Sequence, residues 1–181
     1  MSQQIAGRFF AAVEVSAMGS LHAFIRIARL NEIDTSNIYF RLWRDHPDIR
    51  TFAPRADRLT GQMEAVEFSA ATEMAENEWG IREPATGLPV EPGVIDIVVV
   101  PLVCFDLAGH RVGYGKGFYD RFLRDCRPDC LKVGLSYFAP VDRIDDVHEG
   151  DIRLDMFVTP DRIYRPDILI QPIDALGKPP S

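Results

Sequence analysis

No stretch of the 181-residue sequence approaches the roughly 20 consecutive apolar residues of a membrane span, so neither a transmembrane helix nor a membrane partner is expected. Cysteine is scarce. Cys104, Cys126 and Cys130 are an odd number and lack the second pair that a four-ligand zinc site needs, so no disulfide framework and no structural zinc are expected. The opening MSQQIAGRFF has no basic stretch ahead of an apolar core and does not read as a secretory signal. A reducing cytoplasm is the expected compartment. Positive charge is in deficit, with 20 Lys and Arg against 27 Asp and Glu, and the net charge of −7 argues against a nucleic-acid partner. No repeat, low-complexity tract or second-domain boundary is evident. Oligomeric state has no sequence signal.

What is present suits one domain over residues 1–181, since 46% hydrophobic and 26% charged residues are ordinary for a globular chain able to bury a core. Residues 3–17 read as a helix with Ile5, Phe9, Ala12 and Val13 on one stripe. Residues 21–30 alternate as a strand. A helix follows, with Asp34 or Thr35 as N-cap, Ile38, Leu42 and Trp43 as its stripe and Pro47 beyond its end. IRTFAP and EAVEFS are short strands, ATEMAENEWGI a helix stopped by Gly80, and REPATGLPVEPG a loop. VIDIVVVP is a buried strand, nearly all apolar and ended by Pro101. Phe118, Phe122, Leu123 and Cys126 share a helix face, and LKVGLSYF and RLDMFVTP are further strands. The last fifteen or so residues are proline-rich and carry no clear element. Strands alternating with helices predict an α/β fold with a largely parallel sheet covered on both faces.

HRVGYGKGFYDR, residues 110–121, places Gly113, Gly115 and Gly117 at alternate positions between a strand and a helix. Residues 107–127 carry five Arg and Lys against Asp120 and Asp125, a local +3 on an acidic chain. Bare glycine backbone beyond the carboxyl end of a strand lets phosphate oxygens reach N–H groups, and Arg111 and Lys116 add charge. The spacing fits neither the P-loop nor the dinucleotide fingerprint. For the glycines alone, a turn under a packed helix is an equally good reading.

The segment VVVPLVCFDLAGHRVGYGKGFYDRFL, residues 98–123, resembles the signature of the 5-formyltetrahydrofolate cyclo-ligase (5,10-methenyltetrahydrofolate synthetase) family. The matching positions are Pro101, Phe105, Asp106, Arg111, Gly113, Gly115, Gly117, Phe118, Tyr119 and Asp120. NEIDT (31–35), FAPR (52–55), WGIREP (79–84) and HEGDIRLDMFVTP (148–160) follow the family's order, so the resemblance spans about residues 5–164. It implies a three-layer α/β/α sandwich and an ATP- and Mg²⁺-dependent reaction that turns 5-formyltetrahydrofolate into 5,10-methenyltetrahydrofolate with release of ADP and phosphate. The implied partners are a reduced folate and ATP.

The resemblance also implies residue roles. Lys116 and Tyr119 are the expected catalytic side chains. Arg111, Gly113, Tyr114, Gly115, Lys116, Gly117, Phe118, Tyr119 and Asp120 are expected to hold ATP, Glu32, Trp79 and Tyr119 to meet the folate, and Asp120 and Asp151 to bind Mg²⁺. Each has a plainer reading. Asp120 suits any first helical turn, Glu32 a solvated position before a cap, Trp79 a core and Asp151 a turn. Asp155 reads as a strand-edge residue, His148 as a loop residue and Cys104 as a buried thiol. Family members begin with a basic helix whose Lys and Arg touch ATP, whereas here Arg8 is the only Arg or Lys before Arg26. Either the true start lies upstream, or another group replaces those contacts, or ATP binding is impaired. A folate- or nucleotide-binding member with little or no turnover is the alternative reading.

Overall fold

The computed structural model describes residues 1–57, 60 and 62–166, so the proline-rich C-terminal stretch lies outside the described residues. Helix α1 (Ser2–Ala12) leads into strand β1 (Ser20–Ala23), helix α2 (Ser36–Asp45) and strands β2 (Arg50–Ala56) and β3 (Met63–Glu67). A hairpin of β4 (Met74–Glu76) and β5 (Arg82–Pro84) precedes β6 (Pro89–Val90) and β7 (Ile97–Pro101). A second hairpin, β8 (Cys104–Phe105) and β9 (Arg111–Val112), runs into α3 (Phe118–Arg124), then β10 (Leu131–Leu135), β11 (Met156–Val158) and β12 (Ile163–Tyr164).

Eight strands form one sheet in the order β12-β11-β10-β7-β1-β2-β3-β6. The five from β11 to β2 are parallel, and β12, β3 and β6 are antiparallel additions at the two edges. The continuous apolar run of β7 serves both faces. Ile97 and Val99 pack with Ile5 and Phe9 of α1 and Ile38 and Leu42 of α2, while Val98 and Val100 pack with Phe122 and Leu123 of α3. The expected three-layer α/β sandwich is therefore the observed one. Gly134 of β10 has a packing reason, since a Cβ there would lie 2.6 Å from Phe157 and 2.7 Å from Leu102.

Five expectations fail locally. The first helix ends at Ala12 and Val13 is already extended, so Val15–Ala17 form a separate 3₁₀ turn. The strand over 21–30 stops at Ala23, where the chain leaves the sheet. It turns through a 3₁₀ segment, Ala28–Leu30, that ends with Asn31 left-handed at φ 53°. The helix over 71–81 is instead the β4–β5 hairpin. Asn77 Oδ1 accepts the N–H groups of Trp79 and Ile81, both at 3.0 Å, and Gly80 at φ +69° closes the turn. Such side-chain-to-backbone bonds compete with helix. The loop at 82–93 also carries β5 and the edge strand β6, where Pro89 is tolerated. Cys104 is half-buried rather than buried.

Candidate functional site

The parallel strands β1, β7 and β10 end side by side, with Ala23 paired to Val99 and Pro101 to Leu135. Beyond those carboxyl ends opens a cavity of about 280 Å³ lined by Glu32, Pro101, Tyr114, Ser136, Tyr137 and Phe138, among others. Glu32 reaches it from the loop after β1. Thr35 Oγ1 anchors that loop by donating to Phe24 O at 2.6 Å, and Ile27 N–H donates to Glu32 Oε2 at 2.7 Å. Only 6% of Glu32 is exposed. Burial pushes its pKa up, against the opposing pull of the Ile27 N–H, the Tyr114 phenol and the Arg26 charge. Tyr114 answers in kind, pushed up to about 12 by its own burial and by the Glu32 carboxylate. A residue of the glycine segment thus meets one 82 positions earlier in the chain.

The glycine segment bridges β9 and α3. Gly115 and Gly117 are left-handed, at φ 80° and 63°, and Gly117 is the N-cap of α3. Glycine takes this conformation without strain. The N–H groups of residues 113–117 donate to no acceptor among the described residues. They remain available to an anion, although α3 has only seven residues and so adds little dipole. Lys116 Nζ lies 5.2 Å from the ring centre of Trp79 at the tip of the β4–β5 hairpin. Arg29 Nη1 donates to the Trp79 carbonyl at 2.6 Å and ties that tip to the loop of Glu32.

Arg111 is placed differently from a free phosphate ligand. Its side chain is only 5% exposed, and its guanidinium donates to Asp120 Oδ1 at 2.9 Å and to the Ile152 carbonyl. Asp120 Oδ1 also accepts the Ile152 N–H at 3.0 Å, and Asp151 Oδ2 accepts the His148 N–H at 2.9 Å. Asp120 and Asp151 therefore flank the same backbone position, each with one oxygen outside these bonds. No cluster of three or more His, Cys, Asp or Glu able to hold a metal occurs among the described residues. Mg²⁺ needs only one or two carboxylates when it arrives with phosphates and water, and Asp120 and Asp151 each keep one oxygen for such a role. Tyr119 does not line the cavity. Its hydroxyl is sealed without a partner, and its ring meets His22 at 6.2 Å. Phe118 is half-buried under the Arg121 guanidinium. Asp155 is a strand-edge residue, accepting the Lys132 N–H at 2.7 Å.

Glu32 and Tyr114 are thus brought together, as are Lys116 and Trp79. Asp120 binds the backbone N–H next to Asp151, and Tyr119 lies outside the cavity lining but within reach of the Glu32 charge. Sequence reasoning missed Tyr137 and Phe138. Their signal was available, since LSYF ends a parallel strand, where ligands of open sheets bind.

Known proteins share this sequence pattern and this fold. The pattern of the 5-formyltetrahydrofolate cyclo-ligase family matches residues 1–160. The 5-formyltetrahydrofolate cyclo-ligase of Escherichia coli K12 is 29% identical over 170 residues, covering 91% of this chain and 90% of that protein. The mitochondrial 5-formyltetrahydrofolate cyclo-ligase of Arabidopsis thaliana is 31% identical over 168 residues; the match covers 77% of this chain and 58% of the plant protein. The NMR structure of 5,10-methenyltetrahydrofolate synthetase from Aquifex aeolicus superposes with a TM-score of 0.76 at 26% identity, over 92% of this chain and 81% of that one. The fold of the Mycoplasma pneumoniae synthetase is shared too, with a TM-score of 0.66 at 23% identity, over 87% of this chain and 84% of that one. A match that runs through 160 of 181 residues reaches far beyond one glycine motif, and the chain belongs to the 5-formyltetrahydrofolate cyclo-ligase family.

Proposed function

We propose that this chain converts 5-formyltetrahydrofolate to 5,10-methenyltetrahydrofolate, with ATP going to ADP and phosphate. The N5 formyl group is an amide whose oxygen leaves poorly. Transfer of the γ-phosphoryl group to that oxygen turns it into a leaving group. The N10 lone pair then attacks the formyl carbon, N10 loses its proton, and the C–O bond breaks to release phosphate. Phosphoryl transfer asks the protein mainly for positioning and charge neutralisation.

The observation that carries this reading is Glu32, a carboxylate almost sealed in a cavity with few donors of its own, beside a glycine segment whose N–H groups are free. A pterin ring offers paired N–H donors that such a carboxylate accepts. The N–H groups of 113–117 and the Lys116 ammonium hold the triphosphate, and Trp79 packs against the folate. Arg111 acts from beneath as a positioning residue that holds Asp120. Asp120 and Asp151 would hold Mg²⁺, which supplies charge neutralisation on the phosphates. The three free thiols suit the cytoplasm.

The test is an absorbance assay for methenyl product with 5-formyltetrahydrofolate, ATP and Mg²⁺. Product formation that requires ATP is expected. Tight folate binding without product would leave a binding protein in place of the enzyme.

A further inference from the structure

The loop that carries Glu32 has a second side. Phe24 and residues 30–33 face the first cavity, whereas Ile25, Arg26 and residues 34–36 line another, of about 340 Å³, between that loop, α2 and the β4–β5 hairpin. Its wall is aromatic. Phe68 packs edge to face on Tyr39 and Trp43, with ring centres 4.8 and 5.3 Å apart, and Phe40 meets Trp43 at 5.6 Å. Trp43 is fixed by its indole N–H, which donates to Thr51 Oγ1 at 2.8 Å. Phe40 is 62% exposed. One exposed phenyl ring is unremarkable by itself. Here it stands beside two cations that border the same cavity, Arg26 and Arg82. Neither guanidinium makes a hydrogen bond or close ion pair with any described residue, although the Arg26 charge is felt at Glu32. The one acid in the lining, Asp34, has its Oδ1 engaged by the Ser36 N–H at 3.0 Å. An aromatic wall and two guanidiniums without close partners in one cavity suit a ligand that carries both an aromatic ring and carboxylates.

We infer that this second cavity receives the benzoylglutamate end of the folate, with the benzoyl ring against Phe40 and Trp43 and the glutamate carboxylates on Arg26 and Arg82. The inference rests on the folate reading proposed above. Size supports it. The first cavity, at about 280 Å³, is just under the roughly 300 Å³ at which sites for drug-sized ligands begin. It is small for a pterin, a benzoyl ring and a glutamate together, with a triphosphate at its rim. Continuity supports it as well, because the two cavities share the 24–36 loop as a common wall. A ligand held by its pterin on Glu32 has its tail directed across that wall. Longer glutamate chains bring further carboxylates to the same two arginines.

The experiment compares 5-formyltetrahydrofolate with 5-formyltetrahydropteroate, which lacks the glutamate. Both are titrated by calorimetry into the full chain without ATP, and into the Arg26→Gln/Arg82→Gln and Phe40→Ala variants. The parent should bind the glutamyl form about tenfold tighter, ~1.4 kcal/mol. The double arginine variant should bring the ratio near one. Phe40→Ala should weaken both forms severalfold and preserve the ratio. A parent without preference, or a preference that survives loss of both arginines, overturns the inference. The readout needs no turnover. Preference without methenyl product would break the proposed reaction and leave this subsite standing; turnover without preference would do the reverse.

Discussion

Two carboxylates follow the carboxyl ends of neighbouring strands, Asp106 after β7 and Glu32 after β1, and both are nearly sealed, at 2% and 6% exposure. Asp106 sits in the turn of the β8–β9 hairpin with donors in surplus. Ala108 and His110 give N–H bonds at 3.0 Å, Ile144 N–H one at 3.2 Å and His110 Nδ1 one at 3.1 Å. Arg153 Nε donates to the other ring nitrogen at 3.1 Å, which leaves the proton of the neutral ring on Nδ1. Burial alone would raise the Asp106 pKa, but the His110 and Ile144 bonds outweigh it and hold it low. Glu32 has the Ile27 N–H and the Tyr114 phenol, and burial wins. A buried carboxylate with surplus donors ties loops together. One short of donors gains most when a ligand brings them.

The sharpest way to break this comparison is Asp106→Ala. It strands four donors and should cost about 3 kcal/mol or more, measured by denaturant unfolding. A loss below about 1 kcal/mol would mean that the hairpin does not depend on its carboxylate. The pH dependence has a definite sign. The Asp106 pKa is lowered in the fold, so its stabilisation is present above the ordinary Asp range and is lost as pH falls through the folded value. The gap between parent and Asp106→Ala should therefore narrow in acid.

Glu32→Gln tests the opposite regime. It should weaken 5-formyltetrahydrofolate by about ten- to a hundredfold, the range for losing a charged hydrogen bond. The same variant should raise the melting temperature of the ligand-free protein at pH 8 and not at pH 4. The Glu32 pKa is raised in the fold, so its favourable contribution exists below the ordinary Glu value and is lost as pH rises through the folded one. Equal melting temperatures at both pH values would show that ionised Glu32 carries no strain.

The smallest of these effects belongs to Lys116, whose ammonium has the Trp79 ring as its one partner among the described residues. Lys116→Ala should weaken ATP about tenfold in calorimetry, and more than it weakens the folate. Unaltered ATP affinity would leave Lys116 a contact on Trp79 and nothing more.

Much of the fold was legible because it is written locally. The apolar run Ile97–Val100 and the stripe of Ile38 and Leu42 each report burial through their own spacing. The β4–β5 hairpin was not legible. Asn77 and Gly80 redirect a stretch whose alanines and glutamates favour helix, and the ladder to Arg82–Pro84 exists only once both strands are in place. Within the site, the glycine segment stood out in the sequence, whereas Glu32 was marked only by the family resemblance. Arg111 looked like a ligand for phosphate because its sign was visible and its burial was not.

By itself, then, the sequence determined a sheet buried on both faces, a glycine segment stripped of side chains between strand and helix, and the order of segments that marks the family. The first two are properties of composition and spacing, which neighbouring residues carry, and the third is a resemblance. Only the tertiary structure decided that Tyr114 meets Glu32, that Arg111 turns inward to Asp120, and that Arg26 and Arg82 line one cavity with an aromatic wall. The reason is physical. Whether a charge is solvated, paired or starved of donors depends on which distant segments exclude water around it, and that becomes defined only when the strands have assembled.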